Sequence, residues 1–305
     1  MLEIIGTRPV GSPPREIESK VWDALAQKIY NVAMVQKPGL EFIAELKAVL
    51  SSTPPETQQR WSEVLRRRIV EDRRPATCVQ CQCKSRLNLI LDPDRADVCS
   101  HCSAITATPL EMLADPLLYA NERLQRTGLV RGDDCQARLD ERFSRLCDVA
   151  RHVVIVDRFA LSDASRAENR TAGSSGLKKF LKLANDGGVS SVQLHVAEGA
   201  EINRVVMRAG DIPGVLRSLV APLGLSLSIE VVVQSKRDGQ EKIHDRSLAF
   251  TWPSGGVSWF LGKGLAQFDG PRVTQDHDLG RKSHRQMMQL VSRLPSSAQL
   301  QVRVT

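Results

Sequence analysis

The sequence lacks long apolar runs, since no stretch approaches the roughly 18 consecutive apolar residues that a transmembrane helix requires. The N-terminal segment MLEIIGTRPVGSPPREIESK also lacks the basic start and apolar core of a secretory signal. Aromatic residues make up only 4% of the chain, yet a hydrophobic fraction of 42% suffices for buried cores and argues against global disorder. We therefore expect a globular, cytoplasmic protein.

Charge is unbalanced towards the positive sign, with 42 Lys and Arg against 35 Asp and Glu and a net charge of +7. The sequence pI is about 9.2. A positive balance favours an anionic partner, either nucleic acid or an anionic membrane surface. A length of 305 residues suits two or three domains.

The hydrophobic pattern changes along the chain and predicts four segments. Residues 1–75 carry apolar residues at three- and four-residue steps, which predicts a helical region with helices over 15–35, over 39–50 and from Pro54 to about Val70. Residues 76–107 hold two cysteine pairs, and residues 108–150 are predicted to be a helical connector. Residues 151–305 alternate β-branched runs with helical stretches, which predicts an α/β domain with a mixed sheet. The expected fold class is a multidomain α+β or α/β protein.

The two cysteine pairs predict a zinc ribbon. Cys78-x2-Cys81 and Cys99-x2-Cys102 are separated by 17 residues, a spacing at which each pair gives two thiolates to one tetrahedral metal ion. Cys83 lies beside the first pair and is not needed as a ligand. Four thiolates leave no position for water, so we expect one structural Zn2+ ion and no catalysis at this site.

A histidine and an arginine form a candidate phosphate site in the C-terminal part. His244 and Arg246 lie two residues apart in a β-run predicted from Lys242 to Thr251, so their side chains are expected on the same face of a strand. An imidazole can attack phosphorus or transfer a proton, and a guanidinium fork can hold two phosphate oxygens. The alternative interpretation is that both side chains bond within the domain's own polar network.

The surrounding sequence strengthens the phosphate interpretation. The segments KIHDRSLAF at 242–250 and GVSWFLGKGLAQF at 256–268 resemble the phospholipase D-like C-terminal domain of MIT-domain proteins. The resemblance covers about residues 148–295 and is specific only around residues 242–268. It implies a phospholipase D-like α/β fold.

The resemblance also implies two possible activities. Phospholipase D enzymes build one active site from two HxKxxxxD motifs, whereas this chain has one copy, with Arg246 in place of the lysine and Thr251 in place of the aspartate. Catalysis would therefore require a homodimer that pools two copies of His244, with His244 and Arg246 as catalytic residues. In the MIT-protein relatives the domain is regarded as a non-catalytic binder of acidic membrane lipids. The departures from the catalytic motif in this chain are consistent with such a non-catalytic role.

Other polar residues are candidates for the same site. Lys263 lies between two glycines, so backbone N–H groups and a charge can face a phosphate together. Asp157 and Arg158 follow the first predicted strand of the C-terminal domain. The predicted phosphate-binding set is His244, Arg246, Lys263, Arg281 and His284, and His277 is a weaker candidate.

These patterns together predict an accessory protein whose degenerate phospholipase D-like domain binds a phosphate-bearing ligand. Nucleic acid is the preferred ligand, because a zinc ribbon follows an arginine-rich helix and no basic amphipathic helix with exposed aromatics is present to seat on a membrane. By analogy such a protein suits a bacterial defence or mobile-element system, with a protein partner from the same operon. Three alternatives stay open: a dimeric phosphodiesterase or nuclease that uses His244, a binder of anionic membrane lipid, and a scaffold that recruits a protein.

Overall fold

The computed structural model describes residues 16–32, 35–36, 44, 46–48, 50–67, 69–70, 128–170, 175–199, 201–202, 205–206, 208–235, 237, 243, 245–253, 255–294 and 298–303. The chain forms two compact units, Met1–Gln125 with Pro253–Gly255, and Arg126–Trp252 with Gly256–Thr305. The four predicted zinc ligands Cys78, Cys81, Cys99 and Cys102 lie outside the described residues, and so does His244.

The first unit contains two helices that pack through tryptophan. Helix α1 spans Glu16–Val32 and helix α2 spans Pro55–Arg67, both at positions where the sequence predicted a helix. The rings of Trp22 and Trp61 meet edge to face with centroids 5.5 Å apart, and Trp61 Nε1 donates to the Trp22 carbonyl at 3.1 Å. Beyond each helix, residues that were expected to continue it form a short parallel pair, β1 (Val35–Gln36) with β2 (Ile69–Val70). Within 39–50, residues 44, 46–48 and 50 are helical.

The second unit alternates strands and helices. Its strands are β3 (His152–Val156), β4 (Ser191–Ala197), β5 (Glu201–Ile202), β6 (Val205–Val206), β7 (Ser228–Gln234), β8 (Ser247–Trp252), β9 (Gly255–Leu261), β10 (Leu279–Lys282) and β11 (Ala298–Arg303). Its helices are α3 (Cys135–Val149), α4 (Ala160–Arg170), α5 (Gly176–Asp186), α6 (Ile212–Val220) and α7 (His284–Arg293), with short 3₁₀ turns at Ala221–Leu223 and Gly264–Phe268. Every described helix is too short or too polar to span a lipid bilayer.

Seven strands form one mixed sheet in the order β10-β9-β8-β3-β4-β7-β11. The central strands β3, β4 and β7 are parallel, and β3 has the continuous apolar run that is typical of a buried parallel strand. Strand β8 runs antiparallel to β3, β10 antiparallel to β9, and β11 antiparallel to β7. The expected α/β unit with a mixed sheet is confirmed at this level of description.

Helices cover the sheet on both faces. On one face α3 packs on α5, α5 on α4, and α4 on α6; the Phe143 ring of α3 stacks on Phe250 of β8 with centroids 5.7 Å apart. Since this ring lies in the core, α3 belongs to the α/β unit, although the sequence analysis placed residues 108–150 in a connector. On the other face, Met287 of α7 is fully buried in a cluster with Val154 and Ala249.

The strand that carries the arginine begins later than predicted. The sequence pattern predicted a β-run from Lys242, but β8 begins at Ser247, so Arg246 precedes the strand and the two-residue alternation does not orient its side chain. Ile243 is buried in the same cluster as Met287. We attribute the late start to this burial, because it draws the segment before Ser247 towards α7.

Candidate functional site

Three chain segments meet at the carboxyl end of β3. Asp157, Arg158 and Phe159 follow the strand directly. Val156, its last residue, pairs with Ser247 of the antiparallel β8, which places Arg246 beside Asp157. The end of β9 joins them, because the Leu261 amide donates to the Arg246 carbonyl at 2.8 Å. We call Asp157, Arg158, Phe159, Arg246 and Lys263 the carboxyl-end cluster.

Asp157 is the centre of this cluster and is 1% exposed. Its Oδ1 accepts from the Phe159 amide at 3.1 Å, and its Oδ2 accepts from the Leu265 amide at 3.3 Å. Burial raises the pKa of the Asp157 carboxyl, and the positive charge of Arg246 opposes this rise. The carboxylate therefore ties the β3 and β9 loops together and requires a nearby cation.

Arg246 supplies that cation and is held by three neighbours. Its Nε lies 3.7 Å from Asp157 Oδ1, and its Nη1 donates to the Lys263 carbonyl oxygen. Its Cζ atom is 4.9 Å from the centroid of the Phe159 ring. Two of its nitrogens are thus engaged within the protein, so Arg246 organises the cluster in addition to contributing charge.

Gly264 allows the β9 loop to reach Asp157. Its φ angle is +69°, a left-handed conformation that favours glycine. A Cβ atom at this position would lie 1.8 Å from Asp157 Oδ2 and 2.8 Å from Arg246 Cδ. The second glycine of the Gly-Lys-Gly segment is therefore required by close packing on the ion pair, a role that the sequence analysis missed.

Arg158, which is half-buried, and Lys263, which is exposed, form no ion pair with the described residues, and we call these two the outward cations of the cluster. The Arg158 guanidinium lies 4.4 Å from the Phe159 centroid, and within the described residues no carboxylate or carbonyl accepts a hydrogen bond from it. Burial and then the adjacent Arg246 lower the pKa of Arg158. The pKa of His277, a neighbour of Lys263, is lowered, first by the burial of His277 itself and then by the positive charge of Lys263. The repulsion between Arg158 and Arg246 favours the approach of an anion.

The remaining members of the predicted phosphate-binding set lie elsewhere or outside the described residues. His284 is the first residue of α7, and its Nδ1 is 2.9 Å from Ser258 Oγ near the start of β9. Its ring also lies against Gly256, five residues or about 16 Å along the strand from the Arg246 contact at Leu261. Arg281 lies on β10, with its Cζ 5.9 Å from the Trp259 ring. The structure thus brings Arg246 and Lys263 together and places His284 at the other end of β9.

Two further carboxyls, the buried Asp163 and the half-buried Asp269, lie behind the cluster and were not predicted. Burial and then the negative charge of Asp157 raise the pKa of Asp163 to about 7, although Arg166 pairs with it at 2.9 Å. Burial also raises the pKa of Asp269 to about 6, and Asp269 Oδ1 accepts from the Gly176 amide at 2.7 Å. No sequence motif singled them out, because their burial depends on how α4 and α5 pack.

A surface groove of about 400 Å³ between α3 and α5 is a weaker candidate. Three lysines line it, but each ammonium is already bonded within the protein. Lys178 pairs with Glu168 at 3.3 Å and Lys182 with Asp186 at 3.1 Å. The third, Lys179, donates to the Phe268 carbonyl at 2.9 Å. The groove therefore offers no unpaired lysine to a ligand.

The described residues contain no group of three or more His, Cys, Asp or Glu side chains that could hold a metal ion. The zinc site rests on the sequence alone, because its four cysteines lie outside those residues, and it stays a prediction. The chain matches no family model and no curated protein. Any functional assignment must therefore come from the residues themselves.

Proposed function

We propose that the second unit binds a phosphate-bearing ligand at the carboxyl-end cluster, with Arg158 and Lys263 as the contacting cations. The observation that carries the proposal is the Arg158 guanidinium, which stands beside a second arginine and has no acceptor among the described residues. A bound anion would relieve the repulsion between the two guanidiniums and accept their hydrogen bonds.

The position of the cluster supports the proposal. Ligands of open α/β sheets bind outside the carboxyl ends of the parallel strands, where the strand order reverses. From β3 the chain first builds β4 and β7 on one side and then returns to β8 on the other. The direction changes at the edge of the sheet where the end of β3 lies beside the start of β8, and Arg158 and Arg246 directly adjoin these two strand ends.

The distribution of charge supports nucleic acid as the preferred source of the phosphate. Residues 126–305 contain 26 Lys and Arg against 19 Asp and Glu, whereas residues 1–125 contain 16 of each. The whole net positive charge thus belongs to the unit that contains the cluster. Such an excess raises the local concentration of polyanions and the rate at which they associate.

The finer assignment is that this unit is a degenerate phospholipase D-like domain in an accessory protein that also carries a zinc ribbon. Its sequence resemblance and the order of its strands and helices support this reading. The predicted roles of a homodimer, of an operon-encoded protein partner and of a defence or mobile-element system remain part of the proposal.

Binding measurements test the proposal directly. Fluorescently labelled single-stranded DNA and RNA and anionic vesicles should be titrated with the wild type and with Arg158→Gln at several salt concentrations. We expect nucleic-acid binding that weakens as salt rises, and a loss of about tenfold or more in the variant. Lys182→Gln on α5 removes the same charge outside the cluster and should bind like the wild type. Binding to vesicles alone would favour the lipid alternative, and binding to none of the probes would contradict the proposal.

A further inference from the structure

The charges of the carboxyl-end cluster indicate which kind of phosphate group it binds. Of the three cations, Arg246 is already paired with the buried Asp157, which leaves Arg158 and Lys263 as the two that form no ion pair with the described residues, although the Asp157 charge also attracts Arg158. A phosphomonoester carries a charge of about −1.5 to −2 at pH 7, whereas each phosphodiester of a nucleic-acid backbone carries a single negative charge. Two outward cations therefore match one monoester better than one diester.

Carboxylates on the flanks limit the length of anion that the site can accept. On one side, the exposed Asp245 directly precedes Arg246. On the other side, Asp276 and Asp278 are exposed, and the Asp278 carbonyl accepts from the Gly262 amide next to Lys263 at 3.0 Å. Lys282 pairs with Asp245 at 2.9 Å, so the negative charge that a backbone of successive phosphates would meet at this edge comes chiefly from Asp276 and Asp278. The positive region therefore suits a compact anion.

The cluster also offers no stacking surface for a base. Phe159 is its aromatic side chain, and two guanidinium carbons lie 4.4 and 4.9 Å from its ring centroid. Single-strand binding proteins that follow a nucleic-acid backbone usually combine a basic groove with aromatic rings that are open to bases. A ring that is half-buried and in contact with Arg158 and Arg246 does not provide such a platform.

We propose that the carboxyl-end cluster is a recognition site for a single phosphomonoester, held by Arg158 and Lys263, whether at the phosphorylated end of a nucleic-acid strand or on a small molecule. This inference rests on the phosphate-binding function proposed above and specifies its ligand chemistry. Asp157 and Gly264 act as positioning residues, because they fix Arg246 and the Lys263 backbone around the site.

One experiment compares three labelled oligonucleotides: a 5′-phosphorylated strand, the same strand with a 5′-hydroxyl, and a 5′-hydroxyl strand extended by two nucleotides. The two added phosphodiesters carry at least as much charge as the 5′-phosphate, so the longer strand controls for total charge. We expect the full-length protein to bind the 5′-phosphorylated strand about tenfold or more tightly than either 5′-hydroxyl strand. Arg158→Gln should abolish this preference, and Lys182→Gln should keep it.

Competition with ribose 5-phosphate separates the two sources of the group. If ribose 5-phosphate displaces the phosphorylated strand, the monoester alone suffices for binding. If it does not displace the strand, the site recognises the phosphorylated end of a nucleic-acid strand. Equal binding of all three strands would overturn the monoester inference and leave the phosphate-binding function standing. If no strand binds and Arg158→Gln changes nothing, the phosphate-binding function itself is overturned.

Discussion

Arg246 and Asp157 form a shielded ion pair at the carboxyl end of β3, with Arg246 Nε 3.7 Å from Asp157 Oδ1. The two side chains are 18% and 1% exposed. A buried pair of this kind costs desolvation when it forms, but loss of one partner leaves the other charge uncompensated in a medium of low dielectric constant. The pair therefore makes the arrangement of three loops sensitive to single substitutions.

We expect Asp157→Asn to lower the free energy of unfolding by about 3 kcal/mol. The amide cannot balance the Arg246 charge. Its NH₂ group would also face one of the two backbone N–H groups that now donate hydrogen bonds to the carboxylate. Asp245→Asn is the matched control, because Asp245 is 59% exposed and pairs with Lys282 at the surface, and it should cost less than about 0.5 kcal/mol. Urea unfolding measures both values. Equal costs would contradict a central role for Asp157.

Gly264→Ala should destabilise the protein more than Gly224→Ala. Both glycines have positive φ angles, +69° and +56°, so each alanine pays about 1 kcal/mol for a left-handed backbone. At Gly224 no atom lies within 4 Å of the added Cβ, whereas at Gly264 Asp157 Oδ2 lies 1.8 Å away. We expect the Gly264 variant to lose at least about 2 kcal/mol more in urea unfolding. A difference near zero would mean that the loop moves away without cost.

The type of most elements of the second unit could be predicted from the sequence, whereas the contacts within its site could not. Strand β3 is buried on both faces, so its continuous apolar run from Val153 to Val156 marked it. The start of β8 was missed because KIHDRSLAF has a strand-like composition throughout, whereas β8 begins only at Ser247, and Ile243 before it is buried in the cluster that contains Met287 of α7. Likewise, nothing local indicates that the Leu265 amide, 108 residues from Asp157, binds its carboxylate.

The roles of the two arginines could not be separated by sequence either. A guanidinium at Arg246 or at Arg158 is an equally good phosphate ligand in a linear reading. The difference arises from tertiary packing, which engages Arg246 with Asp157 and the Lys263 carbonyl and leaves Arg158 against Phe159.

Asp163 should contribute a fall in stability as pH rises between roughly pH 4 and pH 7, opposite in sign to the contribution of His195, whose pKa burial lowers to about 4. Burial and then the charge of Asp157 raise the pKa of Asp163 to about 7, well above the value of about 4 in an unfolded chain. In this window the folded state holds a proton that the unfolded state has released, so the free energy of unfolding decreases with pH.

Asp163→Asn removes this titration, so the slope of the free energy of unfolding against pH should be less negative in the variant than in the wild type. Urea unfolding at several pH values between 4.5 and 7.5 measures the slope for the wild type and the variant. The variant also loses the ion pair with Arg166, which changes its free energy of unfolding by a similar amount at every pH and leaves the slope against pH unchanged. Asp186→Asn on α5, with a side chain that is 55% exposed, is the control and should run parallel to the wild type. A slope in Asp163→Asn as steep as in the wild type would rule out this role.

The purified protein should contain one zinc ion per chain, bound by Cys78, Cys81, Cys99 and Cys102. Cys81→Ser should lose the metal, because a hydroxyl is a poor replacement for a thiolate ligand. Cys83→Ser lies two residues further along and should keep it. Mass spectrometry of the metal content measures all three proteins, and retention of zinc in Cys81→Ser would contradict the predicted ligand set. Chelation should also lower the melting temperature, because metal binding contributes folding energy.

Arg246→Lys and Arg158→Lys test whether the two arginines have different roles. A lysine at 246 keeps the charge, but one ammonium cannot contact Asp157, donate to the Lys263 carbonyl and lie against Phe159 as the guanidinium does. We expect a loss of about 2 kcal/mol in urea unfolding. Arg158→Lys gives up no hydrogen bond to the described residues, so it should cost less than about 0.5 kcal/mol while weakening phosphate binding. If Arg158→Lys destabilises the fold as much as Arg246→Lys, then Arg158 is also structural and the outward-facing cation of the proposed site is lost.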